Sequence, residues 1–516
     1  MRSFWERSQF YCTGFTFLQT HRGRNHERSF LSVGAAHRHS AAIRTKGHRN
    51  KLFGSGSARL GDYHMHKSLD QALTYSNRWL DLIKNPVVNE EQGKLIIEES
   101  TSNFAEHFNR GWLDYRKSVK EAGDWAATEW TGAGAVIRDV LGREYIDCLG
   151  GYGMMDLGSG HPDVIDAVKA QLGRTPMPSQ ELIDPLRGVL ARLMAEITPG
   201  DIKYSFFGAT GTEAIEGALK LAKLYTRKSG FIVAVNAFHG KTMGSLSMIG
   251  KAHFRQPAGL LYGGPVYHVP YGDAGAVEKQ LDICQTIGVD IAAVLMEPIQ
   301  GEAGAIVPPD DFWPRLREVT RAYGVLLIAD EVQTGLGRTG KLWAVDHWNV
   351  APDILTVAKS LGGGVMPVSA FCSTEEIWQV MMYPNPFIHT STTGGGGLAC
   401  SAAIAAINVT LRDRLWEAAA AKGAYLIPKL NALAAQYPQI YHGITGKGLL
   451  IGQHFNNAEI GYKVAAGLFK RGVLVSGTLN SAHTVRIEPP LVITYAQMDA
   501  MLDRLADTLA EIAQGM

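Results

Sequence analysis

Six short apolar runs constrain this chain most: "KYSFFG" (203–208), "GFIVAVN" (230–236), "IAAVLMEP" (291–298), "GVLLIADEV" (324–332), "DILTVAK" (353–359) and "VSAFCS" (368–373). Helical patterns lie between most of them. A strand that is apolar on successive residues has no face to offer to water. Such strands, alternating with helices, predict a mostly parallel sheet covered on both faces, the α/β class. Earlier in the chain, helical patterns run to about Arg116, and "VIRDVLGREYIDCLGG" (136–151) reads as a hairpin turning at Leu141-Gly142. From residue 396 onward the pattern is helices with a few short strands, a smaller α+β domain. With 516 residues, two packed domains plus extensions are expected. The expected division is an extension (1–66), a helical segment with part of the small domain (67–165), the large domain (166–395) and the C-terminal small domain (396–516).

Charge and cysteine usage narrow the function. Net charge is +1, which gives no footprint for a nucleic-acid partner. Cys12, Cys148, Cys284, Cys372 and Cys400 are scattered without CxxC spacing. That pattern predicts reduced thiols, no metal site and a cytoplasmic setting. No apolar run reaches the roughly 18 residues of a membrane span, so no membrane partner is expected. Residues 1–60 carry 11 Lys+Arg against 2 acids. This segment reads as a disordered extension or the product of an upstream start, with Met65 the alternative start. Its Arg- and Ser-rich, acid-poor composition leaves an organelle transit peptide as a further alternative.

In open parallel sheets ligands gather at the carboxyl ends of the strands. After the first run comes "ATGTEAIEGALKLAKLY", where Thr210 and Glu213 have capping-box spacing and Glu216 and Lys220 form an i,i+4 pair. Thr210, Gly211 and Thr212 either just start a helix or cradle a phosphate on its free N–H groups. After the second run, Phe238 and His239 are either core residues or flat rings beside that phosphate. "IQGEAG" places Glu302 at the same edge, the fourth run carries Asp330 at its strand tip, and the fifth ends in Lys359. A strand-end lysine can simply snorkel to solvent. Together, however, these groups suit one molecule. A phosphorylated, cationic heterocycle with an aldehyde needs phosphate donors, stacking rings, a carboxylate against its ring nitrogen and a nucleophilic lysine. Pyridoxal phosphate is that molecule.

The stretch "ADEVQTGLGRTGKLWAVDHWNVAPDILTVAKSLGGG", with "GTEAIEGALKLAK", "AFHGKT" and "EPIQGEAG", resembles the class III (ω-amino) aminotransferases, pyridoxal-phosphate enzymes of the aspartate-aminotransferase fold (fold type I). The likeness runs from about residue 100 to 510. Within that family, "WLDYRKSVKEAGDWAATEW" and "GTLNSAHTVRIEPPLVIT" look most like putrescine aminotransferases. The resemblance implies that Lys359 bonds the cofactor aldehyde and moves the proton, and that Asp330 pairs with the ring nitrogen. It implies Gln333 near the ring hydroxyl, Gly211 and Thr212 on the phosphate with Thr210 nearby, and Phe238 stacked on the ring beside His239. Thr392 would reach the phosphate of a neighbouring subunit, so a homodimer or higher homo-oligomer is implied. Arg486 resembles the family's carboxylate-binding arginine.

The implied reaction moves an amino group from a terminal diamine to a 2-oxo acid, so one pocket must accept a cation and then a dicarboxylate. The family's "GEAG" glutamate suggests that Glu302 pairs with Arg486 for the diamine and swings away for the oxo acid. An ornithine, acetylornithine or other ω-amino-acid transaminase is the alternative in the same class, and a mutase or decarboxylase on the same scaffold in a different one. Three departures from the family stand out: "GGGG" at 394–397 after Thr393, Ala209-Thr210 ahead of the Gly-Thr pair, and Lys241 where relatives that select carboxylates have Arg. A lysine cannot fork a carboxylate as arginine does, which favours a donor lacking an α-carboxylate.

Overall fold

The computed structural model describes residues 69–259 and 263–516. The expectations for 1–66, including the transit-peptide and Met65 alternatives, fall outside the described residues. The chain divides into two compact units, residues 1–84 and 85–516. In the first, the described part is the helix Leu69–Lys84, which buries no residue.

In the second unit, β1 (Glu129–Ala133), β2 (Val136–Asp139) and β3 (Glu144–Asp147) form an antiparallel meander. The expected hairpin is β2–β3. Its turn is fixed by the Asp139 carboxylate, which accepts the amides of Leu141 at 3.0 Å and Arg143 at 2.9 Å, and by Gly142 at φ 81°.

The apolar runs become β4 (Ile202–Gly208), β5 (Gly230–Ala234), β7 (Ile291–Met296), β8 (Leu326–Asp330), β9 (Ile354–Val357) and β10 (Ser369–Thr374). With β6 (Val266–Val269) they form one seven-stranded sheet in the order β4-β10-β9-β8-β7-β5-β6. Neighbours from β9 to β6 are parallel, and β10 runs antiparallel to both β4 and β9. The sequence reading missed β6, a half-buried four-residue edge strand too short to carry a pattern.

Alternation along β8 decides what faces where. Leu326 and Ile328 pack with Ile215, Ala218 and Leu219 of the helix Gly211–Thr226, whereas Leu327 and Ala329 pack with Leu316 and Trp313 on the other face. Both faces are buried, as near-continuous apolar strands require. Further along the chain come β11 (Tyr441–Lys447), β12 (Leu450–Phe455), β13 (Val473–Leu474), β14 (Ser476–Gly477) and β15 (Thr484–Ile487). Four of them form a third sheet in the order β11-β12-β15-β14, while β13 joins β3. Helices Leu415–Gln436, Ala458–Lys470 and Tyr495–Gln514 cover a separate core against these strands. Among the described residues no helix is long and apolar enough to cross a membrane.

Candidate active site

A cavity of about 510 Å³ opens at the carboxyl ends of the large sheet's strands. Its lining includes Thr210, Gly211, Thr212, Phe238, His239, Glu302, Asp330, Gln333 and Lys359. These residues follow different strands, so the fold, and not the chain's local order, brings them together.

Asp330 ends β8 and is 5% exposed. His239 Nδ1 lies 2.7 Å from its Oδ2, and its Oδ1 accepts the Val332 amide at 3.1 Å and the Thr356 hydroxyl at 3.3 Å. The His239 ring is therefore fixed edge-on to the carboxyl group, while its buried Nε2 has no hydrogen-bond partner among the described residues. Glu297 also lines the cavity, and it accepts the Phe238 amide at 3.2 Å and the Gly301 amide at 3.1 Å. Burial pushes the Glu297 carboxyl up to about 7, with His239 pulling the other way and Asp330 adding to the rise.

Lys359 follows β9 with φ 47°, left-handed backbone for a residue other than glycine. Strain of that kind persists where the surroundings over-determine it, commonly at a site that must aim one side chain. Burial draws its amine below the ordinary lysine value, against the opposing pull of Glu488.

At the other end, Thr210 N-caps the helix Gly211–Thr226, and Glu213 Oε2 accepts the amides of Ala209 at 2.7 Å and Thr210 at 2.9 Å, the expected capping box. The Gly211 and Thr212 amides sit in the first turn, where helical geometry supplies no acceptor. Gly211 fits closely: a Cβ there would come 2.8 Å from Val332 Cγ1 and force that side chain to shift. The Thr212 hydroxyl is tied to Thr242 Oγ1 at 2.7 Å and Ser245 Oγ at 2.6 Å, a hydroxyl cluster that the sequence reading did not single out. Glu216 corrects another expectation. It accepts the Thr242 hydroxyl at 2.5 Å and the amides of Gly244 at 2.8 Å and Ser245 at 3.0 Å, and among the described residues it forms no ion pair with Lys220.

Glu302 and Arg486 meet as expected: Glu302 Oε1 accepts from Nη1 at 3.1 Å and Nη2 at 3.2 Å. Burial works to raise the Glu302 carboxyl, but Arg486 and the Leu479 amide more than reverse this and leave it below the usual range. Arg486 is 1% exposed, and the cavity lining includes Glu302 but not Arg486. The guanidinium thus lies behind its carboxylate. A second carboxylate, Glu488, sits 2.9 Å from Arg486 Nε, an ion pair whose angle falls outside hydrogen-bond geometry. Gln333 lines the cavity, yet its amide nitrogen donates to Glu488 Oε1 at 2.9 Å and Oε2 at 3.1 Å.

The remaining expectations sort plainly. Phe238 lines the cavity, and Lys241 lies over its ring at 5.7 Å and over that of Phe254 at 4.7 Å, outside the lining. Thr392 is exposed and is not brought to this chain's own cavity; its carbonyl accepts from Gln180 Nε2 at 2.7 Å. The "GGGG" departure answers to close packing: a Cβ on Gly394 would come 2.6 Å from the Phe207 carbonyl oxygen, and Gly395 adopts φ 66°.

Comparison with known proteins adds a family. The model of the class-III aminotransferases matches residues 123–509. A putrescine aminotransferase of Pectobacterium atrosepticum is 48% identical over 437 residues, 84% of this chain and 93% of that protein. Among solved structures, the ornithine aminotransferase of Toxoplasma gondii ME49 superposes with TM-score 0.71 at 30% identity, covering 80% of this chain and 99% of that one. An amine transaminase from an uncultivated Pseudomonas species, solved in its PLP-bound form, gives TM-score 0.69 at 28% identity over 75% of this chain and 95% of its own.

Proposed function

The chain belongs to the class III aminotransferases, and from that premise we propose that it transfers an amino group from a terminal diamine such as putrescine to a 2-oxo acid such as 2-oxoglutarate, leaving an amino aldehyde and glutamate. One observation carries the diamine reading: Arg486, the arginine suited to fork a substrate carboxylate, is sequestered behind Glu302 and neutralised by it. The cavity wall that a donor meets is then a carboxylate, which suits a second ammonium.

Enzymes of this class use pyridoxal phosphate, and the donor set fits it. The helix end at Gly211–Thr212 offers first-turn amides and a positive dipole to a phosphate. Asp330, held by His239, Thr356 and the Val332 amide, presents a carboxyl group to the cavity. Lys359 lines the same cavity, with an amine whose lowered pKa leaves more of it unprotonated near neutrality. When bound, the cofactor supplies an aldehyde to bond the donor nitrogen and a ring that draws off electrons. Lys359 Nζ would take the proton from the donor carbon beside that nitrogen and deliver it to the former aldehyde carbon on the nitrogen's other side, which leaves the lysine amine free again. Phe238 and Asp330 line the same cavity, so Phe238 would cover the ring and Asp330 would hold its nitrogen edge. In the second half-reaction Glu302 swings off Arg486, which binds the oxo acid.

We place Thr392 of one copy at the cavity of another, making a homodimer the active unit. We likewise read 166–395 as the cofactor-binding domain and set the enzyme in the cytoplasm, with organelle delivery through residues 1–60 as the alternative.

The test is a half-reaction. Holoenzyme mixed with putrescine alone converts its visible spectrum once, releases one amino aldehyde per site, and stops until 2-oxoglutarate is added. Full turnover with ornithine but none with putrescine replaces the donor. Carbon dioxide release without an acceptor overturns the transaminase reading.

A further inference from the structure

Glu488 is the unused piece of this site. It is 0% exposed, lies two residues beyond Arg486, and is hemmed in by three groups. Arg486 Nε approaches its Oε2 to 2.9 Å. The Gln333 amide donates to both of its oxygens, at 2.9 and 3.1 Å. Its third neighbour is a loop in which Gly150, Gly151, Tyr152 and Gly153 all have positive φ, between 55° and 85°. That loop is shaped to leave room for the carboxylate, since a Cβ on Gly153 would come 2.5 Å from Glu488 Oε1. Tyr152, from the same loop, lies 5.8 Å from the Arg486 guanidinium carbon. The backbone is fixed as well: the Glu488 amide donates to the Cys148 carbonyl at 2.9 Å.

Arg486 therefore sits between two buried carboxylates, of which only Glu302 reaches the cavity wall. A single movable counter-ion would suffice for a switch. With Glu302 displaced, such an arginine would present a full positive charge to any dicarboxylate. Here the second carboxylate stays behind, pinned by Gln333 and the glycine loop. The Nη edge becomes available for a bidentate contact, but the Arg486–Glu488 pair remains electrically neutral. With Glu302 in place these three groups together carry a net negative charge. In a buried setting Coulomb interactions over a few ångströms are strong enough to decide selectivity.

We propose that Glu488, positioned by Gln333 and Gly153, is a specificity-determining residue that holds Arg486 neutralised throughout the reaction cycle, weakening carboxylate-bearing ligands and favouring donors that carry a second cation. It touches no substrate: it acts on carboxylate binding through Arg486, and its pull on Lys359 bears on turnover but not on the glutarate titration. The inference rests on the diamine reading only for the identity of the favoured donor. Its effect on carboxylates stands independently.

The test uses holoenzyme and glutarate, an unreactive dicarboxylate, measured by equilibrium titration. Glu488→Gln keeps the volume and removes the charge. We expect it to bind glutarate on the order of tenfold tighter, and to shift kcat/KM from putrescine toward 4-aminobutyrate by a similar factor. Glu488→Asp keeps the charge and stays near the wild type in both measurements. Gly153→Ala displaces the same carboxylate without removing it and moves glutarate binding the same way, by less. A purely structural Glu488 would weaken every ligand together. Glutarate binding that is unchanged or weaker in Glu488→Gln, or in Gly153→Ala should the first variant fail to fold, overturns the proposal. Wild-type enzyme inert toward putrescine defeats the donor assignment alone, since the glutarate titration does not depend on it.

Discussion

Glu331 offers a measurement whose sign depends on buried charge. It follows Asp330 directly, but where Asp330 faces the cavity, Glu331 is fully buried. Its carboxyl accepts the Thr334 hydroxyl and, at 2.9 Å, the Val345 amide, and so ties down the loop after β8. Burial pushes this carboxyl up to about 7 from 4.5, only partly countered by Thr334 and the amides of Val345 and Ala344. Between those values the native state holds a proton that the unfolded chain has released. Stability from this group is therefore fully present below pH 4.5 and lost as pH rises through about 7. From about pH 5 to about pH 8 the loss is about 2.5 kcal/mol, since each pH unit between the folded and unfolded values costs about 1.36 kcal/mol. Glu331→Gln keeps the shape and cannot ionise. Its imperfect hydrogen bonding costs about 1 kcal/mol, the same at every pH. A unit spanning residues 85–516 loses about 0.9 kcal/mol of stability per degree at its melting point, so the gap in Tm between variant and wild type should move by about 3 °C in favour of glutamine. Calorimetry of both proteins at the two pH values, with equal cofactor saturation, reads this directly. The other titrating groups cancel in the difference. Parallel melting curves, or a gap moving the opposite way, would refute the claim that Glu331 is protonated in the folded protein at the lower pH.

Three further outcomes follow from the same geometry. Asp330→Asn keeps the His239 contact but removes the charge that the proposed mechanism sets against the ring, so kcat should fall by on the order of 10³-fold while cofactor content, measured after desalting, stays near the wild type. Glu302→Ala exposes the Nη edge of Arg486, and donor preference should move toward amino acids by on the order of tenfold; an unchanged ratio of kcat/KM values would rule out a moving Glu302. Thr392→Ala should leave the melting temperature within about 1 °C and, if the proposed contact to a neighbour's phosphate exists, raise the cofactor Kd several-fold through the loss of one charge-assisted hydrogen bond. No change in Kd would remove Thr392 from any neighbour's phosphate site.

Much of the candidate site was legible because its signals are local. The N-cap Thr210 with Glu213 three residues later, the carboxyl at the tip of an apolar run and the lysine after the next one are patterns within a few residues. They survive folding because a helix start or a strand end obeys short-range rules. Where sequence reasoning failed, it extended a local rule too far. The i,i+4 spacing of Glu216 and Lys220 is sound helix chemistry, but Glu216 lies beside the turn at Thr242–Ser245, whose amides outcompete an exposed lysine. Gln333 lines the cavity as expected, yet its amide nitrogen faces Glu488, 155 residues away along the chain.

By itself, then, the sequence determined six of the seven strands of the large sheet, the edge where the cavity opens, and the presence of Lys359 and Asp330 there. Only the tertiary structure decided how the charges are shared: that Arg486 lies between two carboxylates, that the Thr212 hydroxyl is already taken, and that Asp330 and Glu331 lead separate lives one peptide apart. The physical reason is range. Backbone hydrogen bonding and side-chain alternation act between near neighbours, whereas the energy of a buried charge depends on every group that folding brings within a few ångströms of it.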